Sequence, residues 1–473
     1  MSRTAERQVS FADWELMRQG LRLEPLLQAI SDFLDDQKDM IEQVRCDLIR
    51  GLKNADTGRS GLTPQQILRS LVLMRIKNWD YRELRERIAD GCTLRQFTDF
   101  YCLPVPRHDA FHRGFTRLTP GTLKAINDLV VQAAVEFGLE DGQKLRVDTT
   151  VVQTDIHHPT DSTLLWDVVR VVTRLVGRLA EALGRRSIKG FRDRTRSARR
   201  RMQEIQRMTP KQRHEHQTGK YGELIGITEE VVERARTALR QTRKARGKDL
   251  IADLAIAETR KEIEHFCGLG SRVIDQSRRR VLDGEQVPSA EKLYSIFEPH
   301  TDLIKRGKVQ TPIEFGHKVF LAESARGLIT QYDVLDGNPI DEQHVIASLE
   351  RHKQAFGDVP KLYGSDRGFF SEKNVTSCKQ QGVKVVCIPQ RGGTKTPERV
   401  AYEKTREFKD GQRFRAGIEG RISVLFRGRG MKRCLAEGRE RFDLWVAAAV
   451  LANNLMKIAA LLTDRSLRRR KAA

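Results

Sequence analysis

Eleven residues, Lys144–Thr154 (KLRVDTTVVQT), constrain the fold of this chain more than any others. They are rich in β-branched side chains, roughly alternating and too short for a helix, so the segment is predicted to be a strand. Strand-like texture returns only at Thr311, and a mainly helical insertion lies between. Asp148 sits in the middle of the early strand, where aspartate is depleted.

Residues 1–125 read as short helices. Three starts carry a capping pattern, in which a side-chain oxygen accepts from an amide three residues on. They are Thr63 with Gln66, Asp80 with Glu83, and Thr93 with Gln96, and Gly91 stops the middle helix. Ile67, Leu68, Leu71, Val72 and Ile76 have helical spacing, as do Leu84 and Ile88. Such helices suit either a helix-turn-helix DNA reader or a plain bundle, and Tyr81–Asp90 mixes Arg with Glu83, Glu86 and Asp90.

A helical stretch follows from about Asp161 to Cys267. Leu164, Leu165, Val168, Val169, Val172, Leu175, Val176 and Leu179 form its apolar stripe. Residues 170–249 carry 23 Lys/Arg against 9 Asp/Glu. Balanced surface helices alternate sign, and this one does not. A phosphate-contacting surface is expected, with Arg192, Arg196, Arg199 and Arg200 on it.

From Thr311, short strands and helices alternate. Strands are expected at 313–323 and 327–337 around a turn at Ser324–Gly327, then at 361–366 and 384–389. Helices are expected at 341–356, closed by Gly357, and at 371–381, stopped by Gly382. Residues 390–412 read as a polar loop, 413–431 as a helix interrupted by Gly428 and Gly430, and 442–462 as an apolar helix. The expected organisation is a helical N-terminal domain (1–125), a DNA-binding domain if its helices form a reader, then a mixed α/β domain (140–155 with 311–464), a basic helical insertion (156–310) and a basic tail (465–473).

Composition narrows the partners. The net charge of +22 and pI near 9.9 favour a polyanion, and nucleic acid in particular. Seven cysteines without a CxxC read as reduced thiols, mostly buried, in a cytoplasmic protein. The first residues lack an apolar run, so no signal peptide is expected. A membrane span at 442–462 would bury Asp443, Asn453, Asn454 and Lys457, so that segment is expected in a core.

Asp148 and Asp366 lie on strands and Glu419 on a later helix, and strand ends of an α/β sheet commonly face a ligand crevice. Three converging carboxylates repel unless cations bind among them. Mg²⁺ is the natural candidate, and two such ions can clamp a phosphodiester displacement. Each residue alone also has an ordinary reading: strand-edge carboxylate, turn cap and surface glutamate.

The chain resembles the DDE transposases of bacterial insertion sequences, in the ISNCY-like group. Its RVDTTVVQTDIHHPTDSTLLWDVVR is similar to the first-Asp motif, YGSDRGFFS to the second, and RFRAGIEGRISVLFRGRGMKRC to the signature around the catalytic Glu. LTPQQILRSLVLMRIKNWDYRELRERIADGCTLRQF resembles the helical N-terminal domain, and EFGHKVFL with GLITQYDVLDGNPID resembles two further strands. The resemblance implies an α/β fold with an RNase H-like mixed-sheet catalytic core, interrupted by a helical insertion and preceded by an all-helical domain. It implies Asp148, Asp366 and Glu419 as catalytic metal ligands for two Mg²⁺, with Mn²⁺ as a substitute. Arg415 stands one turn before Glu419, as the family's Tyr–Arg–Glu–Lys signature expects, and is a candidate phosphate clamp. Gln412 replaces the signature's Tyr and Phe426 its Lys, with Arg427 beside it. Arg421 and Arg427 are further candidate DNA contacts. The implied partners are double-stranded DNA, both element ends and target, and a homodimer or larger assembly. The implied location is the cytoplasm, on the nucleoid, and no membrane is involved.

A metal-dependent nuclease on the same fold, or a non-enzymatic DNA-binding regulator, would share many of these features. His157-His158 lacks metal-spaced partners, so a structural or substrate-contacting loop is expected there. His214-Glu215-His216 reads as a solvated face. RGGTKTP (391–397) lacks Walker spacing, so no ATP use is expected. Trp166 and Trp445 are expected in cores.

Overall fold

A computed structural model describes residue 11 and residues 22–54, 61–184, 188–305 and 312–472. The protein is mixed α/β with one mixed sheet. Its strands are β1 (Lys144–Thr154), β2 (Asp302–Lys305), β3 (Ile313–Ser324), β4 (Ile329–Val334), β5 (Leu362–Gly364), β6 (Val385–Cys387) and β7 (Arg433–Cys434). The central order is β3-β1-β5-β6, with β4 on β3 and β7 on the far end of β1. β1 runs antiparallel to β3, with Asp148 opposite Leu321, and parallel to β5, with Leu145 opposite Tyr363. The early strand is therefore the centre of a sheet whose other members lie more than 150 residues on.

Period-2 alternation assigns the two faces. Leu145 and Val147 of β1, with Phe320 and Ala322 of β3, pack under the helices Val345–Phe356 and Glu372–Gln380. Val152, Val319 and Leu321 face the other way, into a larger core shared with the C-terminal helix. Arg146 and Asp148 share that second face by parity.

The chain forms two compact units, residues 1–154 with 316–473, and residues 155–315. The N-terminal helices are not a separate domain. Helix Pro64–Lys77 is buried from Ile67 to Ile76, and helices 25–36, 64–77 and 120–136 all pack on the C-terminal helix Arg439–Ala472. An apolar helix of that length needs cover, and the N-terminal segment supplies it. The described basic tail simply continues this helix to residue 472. Among the described residues, one helix span, Arg439–Arg468, is long and apolar enough to cross a membrane, and 67% of its most apolar window is buried inside the molecule. Asn454 within it bonds Asn127 and the Ile329 backbone at 2.7–2.9 Å, as a core polar group must.

Two of the three expected caps form. Thr63 and Gln66 make a reciprocal box, and Asp80 accepts from the Arg82 and Glu83 amides. Thr93 does not cap, because its helix starts at Cys92 with Gly91 in the capping position. Within 155–315, helices Asp161–Leu183, Thr195–Arg207, Pro210–Thr242 and Leu250–Ser277 enclose their own core, and the whole predicted stripe from Leu164 to Leu179 is buried in it. That stretch runs ten residues past the expected end. Of the seven cysteines, Cys267, Cys378, Cys387 and Cys434 are buried, and Cys46, Cys92 and Cys102 are exposed.

One prediction along residues 390–431 fails. The expected loop contains helix Pro397–Lys404, and the next helix runs unbroken from Arg406 to Gly428. Its glycines are contact points. A Cβ on Gly411 would lie 2.0 Å from the Cys387 Sγ, and one on Gly417 would lie 2.1 Å from an Arg146 guanidinium nitrogen. The helix lies so close to the sheet that a Cβ at either position would have to displace the Cys387 thiol or the Arg146 guanidinium.

Candidate active site

That close-packed helix delivers the site. Arg146 of β1 passes beneath it, donating to the Phe414 carbonyl at 2.6 Å and to the fully buried Glu323 at 2.7 Å. Arg421 of the helix donates to the other Glu323 oxygen at 2.8 Å and to Asn453 at 3.2 Å. Glu323 thus ties the sheet to the helix through two guanidinium groups. Breaking one arm would leave a buried carboxylate under-compensated.

The anchored helix sets Arg415 against β1. Arg415 Nη2 donates to Asp148 Oδ2 at 3.1 Å and lies 3.9 Å from Asp366 Oδ2. Its Nη1 donates to Glu419 Oε1 at 3.2 Å, one helical turn on. One guanidinium therefore sits within ion-pair distance of all three carboxylates named from the sequence. They come from mid-β1, from just past β5, and from the helix. Arg415 Nε is buried and has no hydrogen-bond partner among the described residues.

The three acids differ in setting. Asp148 is nearly buried and accepts from the Thr149 amide at 2.8 Å. Burial pushes its pKa up to about 6, Arg415 opposes the rise, and Asp366 and Asp341 reinforce it. Asp366 caps a short 3₁₀ turn through the Gly368 amide at 2.8 Å and is part-exposed. Glu419 is exposed.

A fourth carboxylate borders the site. Asp341 accepts from Thr149 Oγ1 at 2.9 Å and pairs with Lys318 Nζ at 2.7 Å. A Cβ on Gly368 would meet Asp366 at 3.0 Å and Asp341 at 3.1 Å, so these two acids flank one glycine. Asp341 opens a helix, where a carboxylate reads as a cap, so its sequence carries no signal of this placement.

The donor set is all oxygen, which suits a hard divalent ion, and a cation already occupies its centre in the form of Arg415. Among the described residues, no three His, Cys, Asp or Glu side chains are gathered closely enough to hold a metal by themselves. The carboxylates converge on a guanidinium, not on a preformed metal cage.

The other candidates are placed as follows. Arg421 is turned inward to Glu323, so its guanidinium is committed to structure in place of the expected DNA contact. Arg427 is exposed on the same helix. Arg192, Arg196, Arg199 and Arg200 are all exposed in the insertion. Arg200 pairs with Glu204 at 3.0 Å, whereas the first three have no carboxylate partner among the described residues. His157 lies 3.4 Å from Asp167, and the neighbouring His158 ring packs edge-on against Phe315. His214, Glu215 and His216 are exposed. Lys395 of the RGGTKTP loop pairs with Glu403. Trp166 and Trp445 pack partly buried against their cores.

Comparison with known proteins gives no matching family model, no similar curated protein and no similar solved structure.

Proposed function

We propose that this protein is a DNA transposase with an RNase H-like core, which cleaves the ends of a mobile element and joins the freed 3′-OH to target DNA. The observation that carries this reading is Arg415 within ion-pair distance of Asp148, Asp366 and Glu419. Three carboxylates from β1, the β5 end and a later helix, in that chain order, match the metal ligands that the resemblance implies, and such a set suits a two-metal phosphodiester displacement. The basic composition and the exposed Arg192, Arg196 and Arg199 of the insertion, without a carboxylate partner among the described residues, suit a long polyanionic substrate.

Asp148, Asp366 and Glu419 would hold Mg²⁺ or Mn²⁺. Such ions, when bound, supply the charge that polarises a phosphodiester and activates the attacking oxygen. The chain's own groups do the rest. Asp148, buried on a central strand, fixes the reacting centre against a rigid sheet. Arg415 carries a planar fork that can pass from the carboxylates to a non-bridging phosphate oxygen. Lys318 holds Asp341, and Asp341 holds the Thr149 hydroxyl beside Asp148. No covalent enzyme intermediate is needed, because the bonds exchanged are alike.

The test is a strand-transfer assay with DNA carrying the inverted repeats that flank the coding region, in Mg²⁺ and in Mn²⁺. Joined products from the wild type, and none from Asp148→Asn, Asp366→Asn or Glu419→Gln, are expected. Cleavage without joining would assign a nuclease, and wild-type behaviour of all three variants would leave only a DNA-binding role.

A further inference from the structure

Helix Pro64–Lys77 carries an arginine where a core residue belongs. Arg75 is 3% exposed, yet it has no carboxylate partner among the described residues. Its guanidinium lies 4.0 Å over the Trp445 ring and makes one long bond, 3.4 Å, to the Trp445 carbonyl. Its Nε is buried and has no hydrogen-bond partner among the described residues. Burial lowers its pKa to about 10, so the group stays charged at neutral pH. A buried cation without a counter-ion is costly, and a bound anion would remove that cost.

The space for that anion is present. Arg75 lines a cavity of about 770 Å³, within the range of small-molecule sites. Trp79, Tyr81 and Trp445 give it aromatic walls, and Lys432 and Arg441 stand exposed at its rim. The two acids on the lining are committed or outward: Asp80 caps helix Tyr81–Asp90, and Glu437 is exposed. A buried fork-shaped cation beside aromatic rings matches a phosphate joined to a flat heterocycle.

We infer that this cavity is a nucleotide-binding site, in which Arg75 takes the phosphate and the aromatic walls take the base. The site uses none of the carboxylates at 148, 366 and 419, so it stands apart from the proposed catalytic reading. The ligand's source is either a free nucleotide or a nucleotide of a DNA strand.

The experiment is a titration of the full-length protein with dAMP, inorganic phosphate and a short single-stranded oligonucleotide, read by tryptophan fluorescence. Trp79→Phe assigns the signal to the cavity. A saturable response to dAMP is expected, weakened roughly tenfold or more in Arg75→Met. A response to the oligonucleotide but not to dAMP would identify a strand nucleotide as the ligand. No response to either, an affinity unchanged in Arg75→Met, or phosphate binding as tightly as dAMP would overturn the assignment. Should Arg75→Met fail to fold, the exposed pair Lys432→Glu with Arg441→Glu serves instead: a loss of several-fold is expected, and none would overturn it. Asp148→Asn protein separates the two sites, since it should bind dAMP as the wild type does even where strand transfer is lost.

Discussion

Asp148 carries the sharpest consequence of placing a charge on a central strand. Its folded pKa of about 6 lies above the ordinary 3.8, so the folded protein holds that proton more tightly than the unfolded chain. Stability from this group is lost as pH rises from about 4 to about 6 and stays lost above that. Asp148→Asn removes the penalty. In EDTA the variant should be more stable than the wild type by about 3 kcal/mol at pH 7, with the difference mostly gone near pH 4. Denaturant melts at both pH values check this, and a variant no more stable at pH 7 would contradict it. Arg415 gives the complementary case. Arg415→Ala leaves the three acids without their shared cation, so a loss of about 2–3 kcal/mol is expected at neutral pH. Added Mg²⁺ should restore more stability to this variant than to the wild type, because the ion can take the vacated charge position. Equal Mg²⁺ shifts in calorimetry would argue that the acids do not bind it. Asp148, Asp366 and Glu419 were legible in the chain order of strands and helix. Asp341 was not, because a carboxylate at a helix start has an ordinary explanation that only its neighbours override.

The helix Arg406–Gly428 shows how an element can be hidden by its own requirements. Gly411, Gly417 and Gly420 lower its intrinsic helix propensity, and from sequence the first part reads as loop. In the structure Gly411 and Gly417 let it approach the sheet, with Cys387 and Arg146 filling the space that a Cβ would need. Gly411→Ala should therefore destabilise the protein, although it raises helix propensity. Overpacking against a buried sulfur costs about 1–3 kcal/mol, which lowers the melting temperature by about 2–4 °C per kcal/mol. Alanine at Gly420, which meets nothing within 4 Å, should be neutral or slightly stabilising. A scan in which both variants behave alike would show that the close approach is not what these glycines serve. The strand–turn–helix elements between 313 and 388 were readable because their stops are chemically explicit. Gly327 and Gly357 both adopt the positive φ that ends a turn or a helix.

At the scale of the whole molecule, residues 155–315 enclose a core built only from their own side chains. A fragment spanning residues 156–310 should therefore fold alone into a helical domain with a cooperative melt, checked by circular dichroism. A non-cooperative melt would mean that its core is incomplete. In the full chain, replacing Arg192, Arg196 and Arg199 together by Ala should weaken DNA binding and reduce the salt slope by about 3 if each meets a phosphate. An unchanged slope would move the DNA-binding surface elsewhere.

Sequence alone determined most of the alternation of elements, the strand that interrupts a helical chain and the charge surplus of the insertion, because each is written in local periodicity or residue type; the three acids stand out only through their order along those elements and the resemblance their motifs carry. Tertiary structure decided the rest. It joined the N-terminal helices to the C-terminal helix in one core, turned Arg421 inward, set Arg415 among the acids, and buried Arg75 beside a cavity. Those outcomes depend on which distant surfaces meet, and contact between residues hundreds of positions apart leaves no mark on the local pattern of either.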